Sequence, residues 1–203
     1  MKNRIVSIDI FRALTMFFML FVNDIPGLKG VPHWLFHATM EEDMLGFSDT
    51  IFPAFLFCVG MSAPYAIEAR FRKAENHLQV LSHILIRTFS LIAMGLLTLN
   101  CTNHGILSES WFMLLMFIGI MLTWMECPNE KAGKCLKWLG VCLLLGLVVY
   151  SDVSGSPFEI GWWGILGLIG WTYFVVSLIY LFTRNNLILN TIVWILTIVL
   201  CVL

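Results

Sequence analysis

Apolar runs dominate the chain, and each run is bounded by charged residues, proline or glycine. Apolar runs of about 20 residues are typical of helices that cross a lipid bilayer. The pattern predicts helices at roughly 8–25, 47–69, 78–99, 111–126, 137–150, 162–182 and 187–203. We therefore predict an all-α, polytopic membrane helix bundle with about seven transmembrane helices, which forms a single transmembrane domain over residues 1–203.

Two of these runs are unusual. The fifth is short for a bilayer core about 30 Å thick. We expect its helix to extend through Lys134, because a long lysine side chain can reach the headgroups while its stem stays in apolar surroundings. The seventh run reaches the end of the chain without a flanking charge. We interpret this feature as a sign that the chain is shorter than its ancestor.

The composition agrees with a lipid environment. Of the 203 residues, 59% are hydrophobic and 12% are charged, whereas soluble domains contain about 45–50% apolar and about 25% charged residues. A net charge of -1 argues against a nucleic-acid partner. The six cysteines follow neither a disulfide framework nor a metal-ligand spacing, and we predict no metal site.

The distribution of lysine and arginine predicts the orientation in the membrane, because cytoplasmic loops are enriched in these residues. With a cytoplasmic amino terminus, the outside holds only Lys29, and Arg87 lies within a helix. The inside then holds the other basic residues, which are Lys2, Arg4, Arg12, Arg70, Arg72, Lys73, Lys131, Lys134, Lys137 and Arg184. We therefore predict a cytoplasmic amino terminus and, if the protein is bacterial, the inner membrane.

Polar residues occur inside two predicted membrane helices. Asp9, Arg12 and Asn23 share one face of the first helix, since steps of three or four residues return to the same side. A charge in hydrocarbon is costly, so we expect this face to look into the bundle; the alternative is that Asp9 and Arg12 only pair at the inner membrane edge. In the third helix, His83 and Arg87 are one turn apart. They either bind a cytoplasmic phosphate-bearing ligand or extend to the headgroups.

The first outer loop is the longest predicted non-helical segment, and it contains His37. Asp49 follows at the beginning of the second helix, where an aspartate can cap the helix. A solvated loop histidine and a helix cap are simple structural interpretations of these two residues. From spacing alone, they are favoured over a catalytic interpretation.

Three sequence anchors in the first third of the chain resemble a known family. Residues 4–23 begin with Arg-x-x-Ser-x-Asp-x-Phe-Arg and end in Asn, residues 34–38 read Trp-Leu-Phe-His-Ala, and residues 47–62 contain Asp-x-x-Phe-Pro-x-Phe-x-Phe-x-x-Gly. In this order they resemble the heparan-α-glucosaminide N-acetyltransferase family and its bacterial relatives of unknown function. The Gly-Trp-Trp-Gly run at 161–164 is similar to a bacterial subgroup that has only an uncharacterised-domain label.

The resemblance implies a transmembrane acyltransferase. Members of the family move an acetyl group from cytoplasmic acetyl-CoA to an amino sugar on the far side of the membrane. The resemblance implies catalytic roles for His37, Asp49 and Asn23, with His37 as acetyl acceptor or base. Arg12 and Arg87 are expected to bind the phosphates of acetyl-CoA, which is the acyl donor. The expected partners are the lipid bilayer and a sugar or amino-sugar acceptor.

The chain also departs from the family pattern. Ala13 replaces a glycine, two extra residues separate His37 from Asp49, and the fourth helix lacks a Leu-Gln-Arg-like run. The family also has more helices than the seven predicted here. Two alternatives therefore stay open: a shortened, inactive relative or membrane-complex subunit, and a small-molecule transporter. The acceptor, the acyl chain and the oligomeric state, including a homo-oligomer, are also open.

Overall fold

The computed structural model describes residues 5–39, 41–73, 76–100, 108–128, 130–153, 159–161 and 164–202. Within these ranges the chain forms helices and turns without any β-strand, which confirms the all-α prediction. The helices are α1 (Val6–Asp24), α2 (Phe47–Phe71), α3 (His77–Leu99), α4 (Glu109–Trp124), α5 (Glu130–Val153), α6 (Gly164–Thr183) and α7 (Leu187–Val202). Two 3₁₀ turns, Ile25–Gly27 and His33–Leu35, lie between α1 and α2. Lys2, Arg4, Trp162 and Trp163 lie outside the described residues.

Helix α5 is longer than the apolar run that predicted it. It contains 24 residues and begins at Glu130, so it includes the basic segment with Lys131, Lys134 and Lys137. These three lysine side chains are exposed. Their aliphatic stems allow a helix to continue from an apolar to an aqueous environment. The expected extension through Lys134 is confirmed.

The helices have the lengths and surfaces of an integral membrane protein. In the described part of the chain, five helices are long and apolar enough to cross a membrane: α1 with the following turn, α2, α3, α5 and α6. Helices α4 and α7 are also apolar, with 16 residues each. Large apolar side chains such as Leu20, Phe89 and Leu187 are exposed, which suits a lipid surrounding.

The chain divides into two compact units. The first unit contains the described residues up to Leu85 and from Thr172 onward, and therefore α1, α2, α7 and parts of α3 and α6. One of its cores is formed by buried side chains of α2, α3 and α6, namely Ala63, Ile67, Val80, Ile84, Tyr173 and Leu181. Near the end of α2, the Nε atom of Arg184 lies 3.5 Å from Oε1 of Glu68. The guanidinium carbon of Arg184 lies 3.8 Å from the centre of the Phe71 ring.

A second core of the first unit joins α1 to the beginning of α2. It is formed by Val22, Ile25 and Ile51, which are at most 8% exposed. The partly buried side chains of Leu35 and Phe36 pack against it from the connecting segment. This core therefore fixes the α1–α2 connection, which contains His37, against the start of α2.

The second unit contains residues 86–171. Its core consists of side chains from α3, α4 and α5, namely Leu97, Phe112, Met116, Leu144 and Leu147. The buried side chain of Asn100 connects the end of α3 to the segment before α6. Its Nδ2 donates to the carbonyl oxygen of Glu159 at 2.9 Å, and its Oδ1 accepts the backbone N–H of Glu159 at 2.8 Å.

Candidate active site

His37 and Asp49 are in direct contact. Nδ1 of His37 lies 2.6 Å from Oδ1 of Asp49. Because an ionised carboxylate can only accept a hydrogen bond, this contact assigns a hydrogen to Nδ1, and in the neutral ring the lone pair is then on Nε2. The His37 side chain is 65% exposed. An incoming molecule can therefore reach the ring.

The second oxygen of Asp49 binds two backbone N–H groups, one in the loop after His37 and one at the start of α2. Oδ2 accepts the N–H of Ala38 at 3.0 Å and the N–H of Gly46 at 3.0 Å. Gly46 is the N-cap of α2, and Asp49 is the third residue of the helix, as in a capping box. The helix-capping interpretation of Asp49 and its pairing with His37 thus hold at the same time.

The segment before His37 is fixed to the start of α2 by side-chain contacts. The hydroxyl of Ser48 donates to the carbonyl oxygen of Leu35 at 2.5 Å. The rings of Trp34 and Phe47 meet edge to face, with their centres 6.4 Å apart. These contacts explain why an irregular segment brings His37 to one particular position at the helix start.

Gly46 is required by the closeness of the two segments. A Cβ atom built on Gly46 would overlap the carbonyl oxygen of Phe36 and come within 3.1 Å of Oδ2 of Asp49. A backbone carbonyl cannot move aside as the end of a flexible side chain can. The absence of a side chain at Gly46 therefore allows the His37 segment to approach α2.

Arg12 and Asn23 lie on the exposed face of α1. The sequence pattern indicated that this face looks into the bundle, whereas the structure buries the face that carries Thr15 and Val22. A helical rise of 1.5 Å per residue places Arg12 and Asn23 about 16 Å apart along the axis. Within the described residues, the side chain of Asn23 makes no hydrogen bond to His37 or Asp49.

The two candidate residues of α3 are also accessible. Both His83 and Arg87 have exposed side chains. Among the described residues there is no group of three or more histidine, cysteine, aspartate or glutamate side chains that could hold a metal ion.

A second histidine–carboxylate pair, which the sequence pattern did not predict, lies in the same loop. Nε2 of His33 lies 3.2 Å from Oε1 of Glu42. Both residues belong to an irregular segment, where no periodicity indicates which side chains meet. The only available signal was the presence of a histidine and an acidic cluster in one loop.

Comparison with known proteins adds an independent finding. A family profile described as "Heparan-alpha-glucosaminide N-acetyltransferase, catalytic" matches residues 4–167. The heparan-alpha-glucosaminide N-acetyltransferase of Mus musculus is 31% identical over 110 residues, which cover 54% of this chain and 16% of the mouse protein. The Homo sapiens protein of the same name is 30% identical over 109 residues, which cover 53% of this chain and 15% of the human protein. The chain thus matches a small part of the length of these curated relatives. No solved structure matches the chain.

Proposed function

Since the chain belongs to the heparan-alpha-glucosaminide N-acetyltransferase catalytic family, we propose that it is a membrane acyltransferase in which His37 carries an acetyl group. The group comes from cytoplasmic acetyl-CoA and passes to a sugar or amino sugar on the outer side. The observation that supports this proposal most directly is the 2.6 Å contact between His37 Nδ1 and Asp49 Oδ1. A histidine that acts as a nucleophile or base needs one fixed tautomer and a carboxylate that stabilises the charged ring.

In the first half of the reaction, Nε2 of His37 attacks the carbonyl carbon of the thioester. The new bond joins Nε2 to this carbon, the carbon–sulfur bond breaks, and the thiolate of CoA leaves. The imidazole ring becomes positively charged while it carries the acetyl group. Asp49 stabilises this charge through the hydrogen bond from Nδ1, and it stays in place because Ala38 and Gly46 donate to its second oxygen.

In the second half, the nitrogen or oxygen of the acceptor sugar attacks the same carbonyl carbon. The bond between this carbon and Nε2 breaks, and the electron pair returns to the ring. The attacking amino or hydroxyl group releases one proton to solvent. His37 is then neutral again, with its hydrogen on Nδ1 and its lone pair on Nε2, so the cycle can repeat.

Three exposed side chains are our candidates for binding the donor. Arg12 and Arg87 carry guanidinium groups, which bind phosphates through two parallel hydrogen bonds. Asn23 can donate its amide N–H to the oxyanion that develops on the thioester carbonyl. Because Arg12 and Asn23 share one face of α1, a donor held at Arg12 has to extend its thioester along this helix towards the His37 end.

The proposal is tested by covalent labelling. Purified protein in detergent is incubated with radiolabelled acetyl-CoA, and the label is mapped to a peptide by mass spectrometry. We expect label at His37 in the wild type, none in His37→Ala, and wild-type label in His77→Gln. The control histidine, His77, lies at the first residue of α3, where its ring contacts Phe71.

Two outcomes would contradict the proposal. One is folded wild-type protein that acquires no label, with folding judged by a single symmetric peak in gel filtration. The other is label that persists in His37→Ala, because the acetyl group would then be carried by another residue.

A further inference from the structure

A second carboxylate holds the loop that contains His37. Oε1 of Glu42 lies 3.2 Å from Nε2 of His33, and Oε2 accepts the backbone N–H of Thr39 at 3.2 Å. The backbone N–H of Glu42 in turn donates to the carbonyl oxygen of Thr39 at 3.1 Å. These contacts connect Glu42 to His33, which precedes His37 in the chain, and to Thr39, which follows it.

Glu42 repeats the arrangement of Asp49. Each carboxylate binds a histidine nitrogen with one oxygen and a loop N–H with the other. The two N–H groups belong to Ala38 and Thr39, which directly follow His37. The backbone immediately after His37 is therefore held by two carboxylates from two different positions in the chain.

We propose that Glu42 is a positioning residue for His37 and acts through its contacts with Thr39 and His33. This inference rests on the proposed function. The His37 ring is 65% exposed, so packing contributes little to its orientation. The direction in which Nε2 points then depends on the backbone that carries the ring. In enzymes, a displacement of about 1 Å at a reacting group can cost about 10²-fold in rate.

The contacts of Glu42 contribute more to the position of the loop that carries His37 than to the stability of the fold. The side chains of His33 and Glu42 are 63% and 35% exposed. An ion pair with this exposure contributes little to stability, because water and salt screen it. The core of Val22, Ile25 and Ile51 does not include either residue. Removal of Glu42 should therefore leave a folded protein whose loop is less well fixed.

Three variants distinguish the loss of the contacts of Glu42 from the loss of its negative charge. Glu42→Ala removes both contacts of the carboxylate. Glu42→Gln keeps an oxygen that can accept the N–H of Thr39. Glu41→Ala removes the same charge from the adjacent, exposed position and serves as the control. The single-turnover rate of His37 acetylation, measured against the concentration of radiolabelled acetyl-CoA, gives a maximal rate constant and a half-saturating concentration. Hydrogen exchange of the peptide containing Thr39 reports on the loop.

We expect Glu42→Ala to lower the maximal rate constant of His37 acetylation about 10- to 100-fold, with little change in the half-saturating concentration of acetyl-CoA, because the ring is displaced and the donor site is not. The amide of Thr39 should exchange faster in this variant. Glu42→Gln should restore most of the rate, and Glu41→Ala should resemble the wild type. A purely structural role would not lower the maximal rate constant while leaving the half-saturating concentration of acetyl-CoA unchanged.

The outcomes that overturn the inference are distinct from failure of the proposed function. Unchanged acetylation in Glu42→Ala overturns the inference alone, whether or not Thr39 exchanges faster. An equal loss in Glu41→Ala overturns it too, because charge rather than contact would then be responsible. Failure of Glu42→Ala to fold would assign Glu42 to stability and overturn the positioning role. A folded wild type without label overturns the proposed function, and this inference with it.

Discussion

Asp49 performs two tasks that often belong to separate residues. Its Oδ1 pairs with the His37 ring, and its Oδ2 accepts two backbone N–H groups, one from the loop and one from the N-cap of α2. Because the same carboxylate binds the helix N-cap and the imidazole, the start of α2 determines the position of the His37 ring. At the scale of single residues, the candidate site is therefore part of the helix-capping structure.

Replacing Asp49 by asparagine should separate these two tasks. The amide oxygen of the Asp49→Asn variant can still accept the backbone N–H groups. Its NH₂ group, if it faces His37, favours the tautomer with the hydrogen on Nε2, which removes the nucleophilic lone pair. We expect acetylation of His37 to fall by up to about 10⁴-fold, the size of the tautomer effect in serine proteases, while the protein stays folded.

The measurement for Asp49→Asn is the single-turnover rate of label incorporation at His37. Asp43→Asn is the matched control, because Asp43 is an exposed aspartate in the same loop. An acetylation rate near that of the wild type in Asp49→Asn would mean that the tautomer of His37 is not set by Asp49.

Adding one methyl group at Gly46 tests the approach of the loop to α2. In Gly46→Ala, the new Cβ would overlap the carbonyl oxygen of Phe36, so the backbone must move. We expect a loss of about 1–3 kcal/mol in the free energy of unfolding, as for other overpacked sites, together with slower His37 acetylation. Gly60→Ala in the same helix is the control, since a Cβ at Gly60 meets nothing within 4 Å. Equal behaviour of the two variants in thermal unfolding would contradict this account.

The sequence indicated candidate residues but not all of the contacts that they make. His37 and Asp49 were found because their surroundings resemble a family motif, and the structure brings them together at 2.6 Å. The pair of His33 and Glu42 was missed, because an irregular loop has no repeat that relates positions so far apart. Which partners a loop residue meets depends on the packing of the helices on either side.

At the scale of helices, α4 and α5 pack closely because small residues allow it. A Cβ on Gly140 would lie 2.8 Å from the carbonyl oxygen of Gly119 and 2.8 Å from the backbone nitrogen of Thr123. A Cβ on Gly119 would lie 2.7 Å from the Leu144 side chain. In lipid, where helix association depends on packing rather than on the exclusion of water, such small residues determine how near two helices come.

Gly140→Ala should therefore push α4 and α5 apart. Two of the atoms that it would meet are backbone atoms, which cannot rotate away, so we expect the free energy of unfolding to fall by about 1–3 kcal/mol. Gly146→Ala lies on the same helix with no atom within 4 Å of the added Cβ, and it should be as stable as the wild type. Thermal unfolding in detergent distinguishes the two. A Gly140→Ala protein with unchanged Tm would show that α4 and α5 can move apart without loss of stability.

The helix boundaries were predictable where the chain changes sharply from polar to apolar. The observed α2 (Phe47–Phe71) and α3 (His77–Leu99) begin and end close to the predicted limits. The apolar run alone predicted too short an α5, because its lysines resemble a boundary, whereas their aliphatic stems permit the helix to extend through Lys134. The sequence pattern predicted that the face of α1 with Arg12 and Asn23 looks into the bundle, but the structure leaves this face exposed. Periodicity shows which residues share a face, but it does not show which neighbour covers that face.

At the scale of the whole molecule, the orientation in the membrane decides whether the proposed transfer crosses it. Helix α2 contains 25 residues, and a helix of this length spans about 37 Å, more than the ~30 Å hydrocarbon core. If α2 crosses the bilayer, the His37 loop before it and the basic segment at Arg70–Lys73 after it lie on opposite sides. The charge bias predicts that the His37 loop is the outer one.

This orientation is testable with single cysteines in a chain whose native cysteines are replaced by alanine. We expect a membrane-impermeant maleimide to label Asp43→Cys in intact cells and Arg72→Cys only after permeabilisation, because positively charged segments stay in the cytoplasm. The two positions are matched, since both side chains are exposed and flank α2. The reverse pattern would place His37 on the cytoplasmic side. If His37 still acquired an acetyl group there, the acceptor would be cytoplasmic. The proposed transfer across the membrane would then be wrong, although the proposed chemistry of His37 would be right.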